Sequence, residues 1–543
     1  MKKEIETLIT KEEENKQKQN KNSVILIFTV LGAMIGIIVI AIAFFWGPML
    51  NRKKPLNKQP KTVINNDKSK VFSQYRISGN SLDDFDLAFM KLENKKENEV
   101  YSPLSIKYAL SMLSTGADKE SKKQIDSIIG DYKTKKYTND EHMSFANAMF
   151  IRNSFKDNIK QDYIKKLRNS YNAEVVFDEF NNADTMNNWV NEKTFKLINN
   201  LFDNETVSKQ DFILTNALAI DMEWNNLLQC ASTKANIPCK RYNVNYLHEK
   251  YSDYVSYVYD DNFPAMKFNN KDNIKSVEIG ASINRYDIIK KLGEDNIREK
   301  VTDAYTNWLQ TDEGKFDLKY NQTESDVTKY IDKYMEELKS NYKKVDQSTD
   351  FYIYNDDNVK AFAKNLKKYS GTELQYIGIM PKKEDLDKYV DNITKEELSG
   401  IISGLKDISL ENFKDGVVTK IHGNIPMFKF DYELQLKDDL QKLGVVDVFD
   451  SSKSNLSNML NKEGVIDSAS HKASIEFSND GINAAAATQM GGVGSAGGGF
   501  RYDFDVPVEE IDITFDKPYM FIIRDTSSGE VWFTGMVYNP IVK

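Results

Sequence analysis

Cysteine and histidine, the residues that most often bind transition metals, are scarce in this chain. Its 543 residues include two cysteines and four histidines: Cys230, Cys239, His142, His248, His422 and His471. A structural zinc site needs four clustered ligands, and the H-E-x-x-H pattern that begins at His248 fails because position 252 is serine. The G-x-S-x-G motif of serine hydrolases is absent from the sequence. We therefore expect no metal ion, no other cofactor and no catalytic activity.

Positive charge is also in deficit. The sequence contains 73 Lys and Arg residues against 81 Asp and Glu residues, which gives a net charge of −8 and a pI of about 5.4. Proteins that bind nucleic acid usually carry an excess of positive charge, so we do not expect nucleic-acid binding. For Cys230 and Cys239 two possibilities stay open: a local disulfide in an oxidising compartment, or two unreactive thiols.

One long uncharged run lies near the N-terminus. From Val24 to Trp46 the sequence reads VILIFTVLGAMIGIIVIAIAFFW, and a helix of this length would span roughly 34 Å, enough for the ~30 Å hydrocarbon core of a bilayer. A cleavable signal peptide has a shorter apolar region and small residues at its cleavage site. We therefore predict a polar tail at 1–22, a retained transmembrane signal anchor at 23–46 and a flexible linker at 47–71.

The rest of the chain, 72–543, mixes helical and strand patterns. Ser102 and Pro103 predict the start of a helix that ends at Gly116, and the apolar stretch 211–220 predicts a buried strand. Two apolar runs close to the C-terminus, separated by a turn sequence, predict a hairpin. The body of the protein is therefore expected to contain both helices and sheets.

Residues 284–346 have a different pattern, which predicts helices. Apolar residues recur at helical spacing from Val327 to Tyr342, and the stretch Thr323 to Asp326 offers a capping box. Such a stripe is typical of a helix that packs into a core. We predict that 284–346 is a helical insertion.

A stretch rich in alanine and glycine, GINAAAATQMGGVGSAGGGFRYDFDVP, runs from Gly481 to Pro507. It contains a G-x-G-x-x-G pattern at 492–497, but a dinucleotide-binding turn follows a buried strand and opens a helix. Here alanines precede the glycines, and strand-like residues follow them. Two hypotheses remain: a flexible surface loop, or a segment whose small side chains let it slip between two strands and complete a hydrogen-bonded ladder.

Several sequence blocks, taken in order, resemble the serpin family. They are YSPLSIKYALSMLSTGA at 101–117, MNNWVNEKTFKLI at 186–198, LTNALAIDMEW at 214–224, IPMFKFDYELQLKDDLQKLGVVDVFD at 425–450, HKASIEFSNDGINAAAAT at 471–488 and FDKPYMFIIRDTSSGEVWFTGMVYNP at 515–540. The resemblance covers about 72–235 and 351–543. It implies an α+β serpin fold with three β-sheets, eight to nine helices and an exposed reactive loop at 479–507.

The resemblance also implies roles for particular residues. Four polar side chains and a tryptophan would control the opening of the central sheet: Ser102, Ser105, Asn216, Trp224 and His471. The hinge that enters the sheet would be Gly481, Ile482, Asn483, Ala484, Ala485, Ala486, Ala487 and Thr488. The family's usual spacing places the cleaved bond at Ser495–Ala496. The loop is longer than usual after this bond, so Phe500, Arg501 and Tyr502 are alternative recognition residues.

The function that the resemblance implies is suicide inhibition of a serine protease, or of a cysteine protease. The protease cleaves the loop, which then enters the central sheet while the protease is still bound to it. Together with the apolar run at 23–46, this predicts a monomer on a single-pass membrane anchor, with the serpin domain outside the cell. The alternative is a non-inhibitory serpin-fold protein that binds or scaffolds a partner, with 284–346 and the anchor as its working parts.

Overall fold

The computed structural model describes residues 84–130, 132–225, 265–282, 285–321, 323–342, 351–407, 412–478, 481–482, 500, 502 and 504–540. None of the helices in these ranges has the length and apolar character needed to cross a bilayer. The segments 1–22, 23–46 and 47–71 and both cysteines lie outside the described residues. The tail, the anchor, the linker and the possible disulfide therefore stay predictions.

Eighteen strands lie within the described residues. In chain order they are β1 (Glu99–Tyr101), β2 (Met143–Arg152), β3 (Glu174–Asp178), β4 (Phe212–Ile220), β5 (Met222–Glu223), β6 (Ala265–Phe268), β7 (Lys271–Ser282), β8 (Phe351–Asn355), β9 (Val359–Asn365), β10 (Leu374–Pro381), β11 (Lys406–Asp407), β12 (Val418–Pro426), β13 (Phe428–Leu434), β14 (His471–Phe477), β15 (Gly481–Ile482), β16 (Val508–Asp512), β17 (Tyr519–Asp525) and β18 (Val531–Val537).

The same residues contain thirteen α-helices, nine outside the segment 285–342 and four within it. The nine are α1 (Asp84–Glu93), α2 (Pro103–Gly116), α3 (Lys119–Ile129), α4 (Gln161–Tyr171), α5 (Asp184–Lys193), α6 (Asn204–Lys209), α11 (Leu386–Asn392), α12 (Lys395–Ser403) and α13 (Leu436–Lys442). The four are α7 (Arg285–Lys290), α8 (Glu294–Trp308), α9 (Asp312–Tyr320) and α10 (Val327–Tyr342).

The largest sheet has seven antiparallel strands in the order β1-β18-β17-β10-β9-β8-β11. Every residue of β10 and of β18 is buried. A strand with both faces covered needs apolar side chains along its whole length, which explains the continuous apolar runs in the sequence. The predicted C-terminal hairpin is confirmed as the pair β17–β18.

A second sheet has four strands in the order β16-β12-β7-β6. Its strand β12 pairs antiparallel with β7 and parallel with β16. Because β16 begins at Val508, directly after the Gly-rich stretch, this parallel pairing fixes the chain where the predicted reactive loop ends.

The central sheet is divided into two parts, β3-β2-β4 and β13-β14-β15-β5. Only Asp221 separates β4 from β5, so the two strands follow each other along one edge. The family resemblance implies three sheets, whereas hydrogen bonding among the described residues gives four. The difference arises because no strand pairs β14 with β4 in this part of the chain.

Helix α2 confirms the predicted start and end signals. It begins at Pro103, and the Ser102 hydroxyl caps it by accepting a hydrogen bond of 3.0 Å from the Ser105 backbone N–H. Its last residue is Gly116, and it packs against β4 and β18. The helix therefore holds its N-terminal serines against the central sheet.

The segment 285–342, called the helical segment below, is helical as predicted. Ile331, Met335 and Leu338 on α10 are each at most 5% exposed, so the apolar stripe does pack into a core. The predicted capping box is wrong in detail. Instead of Thr323, the carboxylate of Asp326 accepts hydrogen bonds from the backbone N–H groups of Thr328 and Lys329, because the helix begins three residues later than the box requires.

Candidate functional site

The first two residues of the predicted hinge form a strand inside the central sheet. In β15, Ile482 lies opposite Phe477 of β14 and opposite Met222 of β5, and Gly481 lies opposite Glu223. Both pairings are antiparallel. The chain that leaves β14 therefore turns back and adds itself between β14 and β5.

Next to β15, two cavities lie between the neighbouring strands β4 and β14. A cavity of about 230 Å³ lies between β4 residues 212–218 and β14 residues 471–473, and a smaller one lies between residues 218–220 and 474–476. In the part of the chain that the structure describes, no strand pairs with the facing edges of β4 and β14 here. We call this space, from Thr215–Ile220 of β4 to His471–Glu476 of β14, the slot.

Polar side chains from α2, β4 and β14 meet at the end of the slot farthest from β15. The Ser102 backbone N–H donates a hydrogen bond of 3.0 Å to Nε2 of His471, and the Ser105 hydroxyl bonds to Oδ1 of Asn216. All four residues line the cavity. The structure therefore brings together the four polar residues predicted to control sheet opening.

Two further residues extend this polar cluster and were not foreseen from the sequence. The Asn216 amide donates to Oδ1 of Asn147 on β2 at 2.8 Å, and the Asn147 amide donates to the backbone carbonyl of Tyr171 at 2.9 Å. Asn147 is 3% exposed. A polar residue in the apolar strand MSFANAMFIR was the available signal, because a buried amide needs partners.

Burial lowers the pKa of His471 from 6.5 to about 4. Its Nε2 atom accepts the hydrogen bond from Ser102, which requires a neutral ring with the proton on Nδ1. Protonation would place a charge beside the cavity and remove the acceptor. His471 is therefore a neutral hydrogen-bond acceptor in this fold, and we expect it to resist protonation until the pH is well below neutral.

Trp224 lies at the opposite end of the slot, beside β15. It is fully buried, and its Nε1–H donates to the backbone carbonyl of Ser478 at 3.1 Å. Its ring contacts Phe477 edge-on at 5.6 Å between ring centroids, and Phe477 is the residue opposite Ile482. The predicted tryptophan therefore lies under the point where the loop joins the sheet.

The other end of the predicted loop packs on the helical segment. Phe504 belongs to its apolar core, and the partly buried Phe500 and Tyr502 pack against that core. Ser495, Ala496, Arg501 and the hinge residues 483–488 lie outside the described residues, so the cleaved bond stays a prediction. No group of three or more His, Cys, Asp or Glu residues that could hold a metal ion is found in the described ranges.

Comparison with known protein families identifies the fold. A family model described as "Serpin (serine protease inhibitor)" matches residues 84–237 and 240–540. The chain belongs to the serpin family. Serpins as a family are serine protease inhibitors rather than enzymes, so membership supports a general role in protease inhibition. The match includes both ends of the slot and both ends of the loop.

Individual serpins are distant from this chain in sequence. Human Serpin B4 is 22% identical over 495 residues, which cover 84% of this chain and 97% of that protein. Human leukocyte elastase inhibitor is 30% identical over 173 residues, 32% of this chain and 42% of that protein. Native Tengpin, a thermophilic serpin, shares the fold with a TM-score of 0.51 at 18% identity, over 89% of this chain and 97% of that chain.

Proposed function

We propose that this serpin inhibits a serine protease by moving its cleaved reactive loop into the slot as a new strand of the central sheet. The observation that carries the proposal is the position of β15, since Gly481 and Ile482 already pair with strands on both sides. The slot continues directly from β15 between β14 and β4. Loop entry would therefore extend a strand that has already begun.

The pairing of Ile482 sets the register of this extension. Side chains alternate between the two faces of a strand, and position 482 is in register with Phe477, which is 1% exposed. Continued in register, Ala484 and Ala486 would also face the core. Ala486 would lie opposite Ala473, which is 2% exposed.

The same register brings the hinge to the polar cluster. Thr488 would lie between Asn216 and His471, where its hydroxyl meets hydrogen-bonding side chains. Each new backbone hydrogen bond in such a ladder contributes about 0.5–1.5 kcal/mol net, and the alanines fit a space lined by larger apolar residues. The hinge would therefore place small side chains beside the apolar lining of the slot and a hydroxyl beside its polar cluster.

The target is proposed to be a protease that accepts small residues, of the elastase or subtilisin type, with cleavage at Ser495–Ala496. The composition of the loop, with only glycine, alanine, serine and one valine at 491–499, supports this choice. The name of one relative, leukocyte elastase inhibitor, agrees with it. A cysteine protease with a similar preference is the other possible target.

The proposal includes a membrane tether at 23–46, supported by the uncharged run in the sequence, with the serpin domain outside the cell. We also propose that the helical segment is an insertion into the family pattern.

Alkaline carbonate extraction tests the tether. The full chain should stay in the membrane pellet, and a chain that begins at residue 72 should be released. Release of the full chain would contradict it.

Incubation with an elastase-type or subtilisin-type protease tests the inhibitory function. We expect a protein–protease complex that survives SDS, because the acyl-enzyme is trapped by loop entry. Protease whose active-site serine has been chemically blocked is the control and should form no complex. Clean cleavage with the protease still active would reject inhibition and favour the non-inhibitory binding or scaffold role.

A further inference from the structure

The aromatic ring of Phe500 lies in a socket formed by three aromatic side chains of the helical segment. The distances between ring centroids are 5.0 Å to Tyr305, 5.6 Å to Trp308 and 5.9 Å to Tyr330. The Tyr330 hydroxyl also donates a long hydrogen bond of 3.5 Å to the backbone carbonyl oxygen of Phe500. Tyr305, Trp308 and Tyr330 are called the aromatic socket below.

The aromatic socket is held in place by contacts that do not involve the loop. Tyr305 is fully buried and stacks on Tyr330 with 3.7 Å between ring centroids and an interplanar angle of 10°. The Tyr305 hydroxyl donates to the backbone carbonyl of Glu324 at 2.5 Å, and its ring also stacks on Trp308. Because helices α8 and α10 both contribute to it, the socket is part of the packed segment itself.

The residues after Phe500 continue the attachment. Phe504 is 5% exposed and packs in the same core as Val301 and Met335. Tyr502 meets Phe504 edge-on with 4.7 Å between ring centroids. Only after these contacts does β16 begin its pairing with β12, at Val508. The C-terminal end of the loop is therefore attached twice, first to the helical segment and then to the sheet.

We propose that Phe500 is a positioning residue of the reactive loop, which fixes the loop's C-terminal end to the aromatic socket. Two consequences follow, and both rest on the proposed inhibitory function. The bond presented to the target protease lies N-terminal to Phe500, because the ring of Phe500 is packed inside the socket and Tyr502 is packed on Phe504. We also expect the attachment of Phe500 to slow the entry of an uncleaved loop, because it shortens the stretch of chain that is free to move.

Limited proteolysis with a chymotrypsin-type protease, which cuts after large aromatic residues, tests the attachment. In the unaltered protein, cleavage after Phe500 and Tyr502 should be slow. Phe500→Ala should speed cleavage after Tyr502 by at least about tenfold, because three ring contacts are lost. Phe500→Tyr keeps a ring for the socket and should restore the slow rate. Mass spectrometry of the fragments identifies each cut.

A matched control comes from the same segment. Phe316 on α9 is 57% exposed and does not contact the socket, so Phe316→Ala should cleave like the unaltered protein. Phe500→Leu, which keeps apolar volume without a ring, is a second variant in case Phe500→Ala does not fold, and its rate should lie between the other two. Equal cleavage in all variants, or rapid cleavage after Phe500 in the unaltered protein, would overturn the proposal.

A second measurement separates this inference from the proposed function. On storage at 37 °C, Phe500→Ala should lose inhibitory activity at least about tenfold faster than Phe500→Tyr, because its uncut loop enters the slot. Equal loss rates would refute the restraint on entry. If the unaltered protein traps no protease while the proteolysis pattern holds, the inhibitory function fails and the attachment of Phe500 stands.

Discussion

The two ends of the slot are built from different chemistry. Near β15, the apolar residues Trp224 and Phe477 pack under a strand that is already paired on both sides. At the far end, hydrogen bonds among Ser102, Asn216 and His471 and their partners surround a cavity. Apolar packing favours the start of loop entry, whereas the polar contacts must rearrange or accept Thr488 before it is complete. The end of the sheet beside β15 is therefore already arranged for loop entry, whereas the hydrogen bonds at the far end oppose it.

Among the changes predicted here, substitution inside the hinge should have the largest effect on protease trapping. In the proposed register, Ala486 would enter the core opposite Ala473, so Ala486→Arg would bury an unpaired charge at a cost of several kcal/mol. We expect trapping of the protease to fall by about a hundredfold or more, so that the protein becomes a substrate. The ratio of trapped to released protease on SDS gels measures this.

Asn483→Arg is the matched control in the same hinge. The same proposed register would place residue 483 on the opposite face, between Asp221 and Glu476, which are both partly exposed and acidic. Both carboxylates already have partners, and Glu476 is ion-paired with Lys429 at 2.8 Å. An arginine on this partly exposed face would keep its charge solvated, so inhibition should stay within about twofold of the unaltered protein. If the two arginine variants trap protease equally well, the hinge does not enter the sheet in this register.

Acid should weaken the polar end of the slot through His471. The pKa of His471 is about 4 in the folded protein and 6.5 in an exposed state. Above pH 6.5 the ring is neutral in both states and has no effect. Between pH 6.5 and 4 the unfolded chain takes up the proton and the folded protein does not, so the free energy of unfolding falls, by at most about 3 kcal/mol.

Urea denaturation at several pH values measures this loss, and His471→Gln should remove part of the slope between pH 6.5 and 4. His422→Gln is the control, because His422 is exposed on β12 and lies outside the slot. It should retain the slope of the unaltered protein. A His471→Gln variant with an unchanged slope would show that this histidine is not the acid-sensitive group.

Sequence patterns predicted the elements of this fold well where local signals are strong. Ser102-Pro103 and Gly116 bound α2 as expected, and the apolar run 211–220 forms β4 almost to the residue. The ordered family blocks also predicted that Ser102, Asn216 and His471 lie close together, and the structure has them at one end of the slot. These predictions succeeded because capping residues, apolar runs and ordered blocks are all read directly along the chain.

The aromatic socket could not be predicted in the same way. Tyr330 and Phe500 are 170 positions apart, and each alone reads as an ordinary aromatic residue of a helix or a loop. The helix signal at 323–326 was also misassigned, because Thr323 and Asp326 are both good capping residues and only the observed start of α10 decides between them. Contacts that depend on tertiary packing leave no local pattern.

Thermal melting before and after a single cut in the reactive loop tests the central claim most directly. The proposal that the loop fills the slot predicts that the cut protein melts at a higher temperature, because the inserted segment adds ladder hydrogen bonds and occupies the cavity of about 230 Å³. A cut protein that melts at the same temperature as the intact one, or lower, would contradict loop entry.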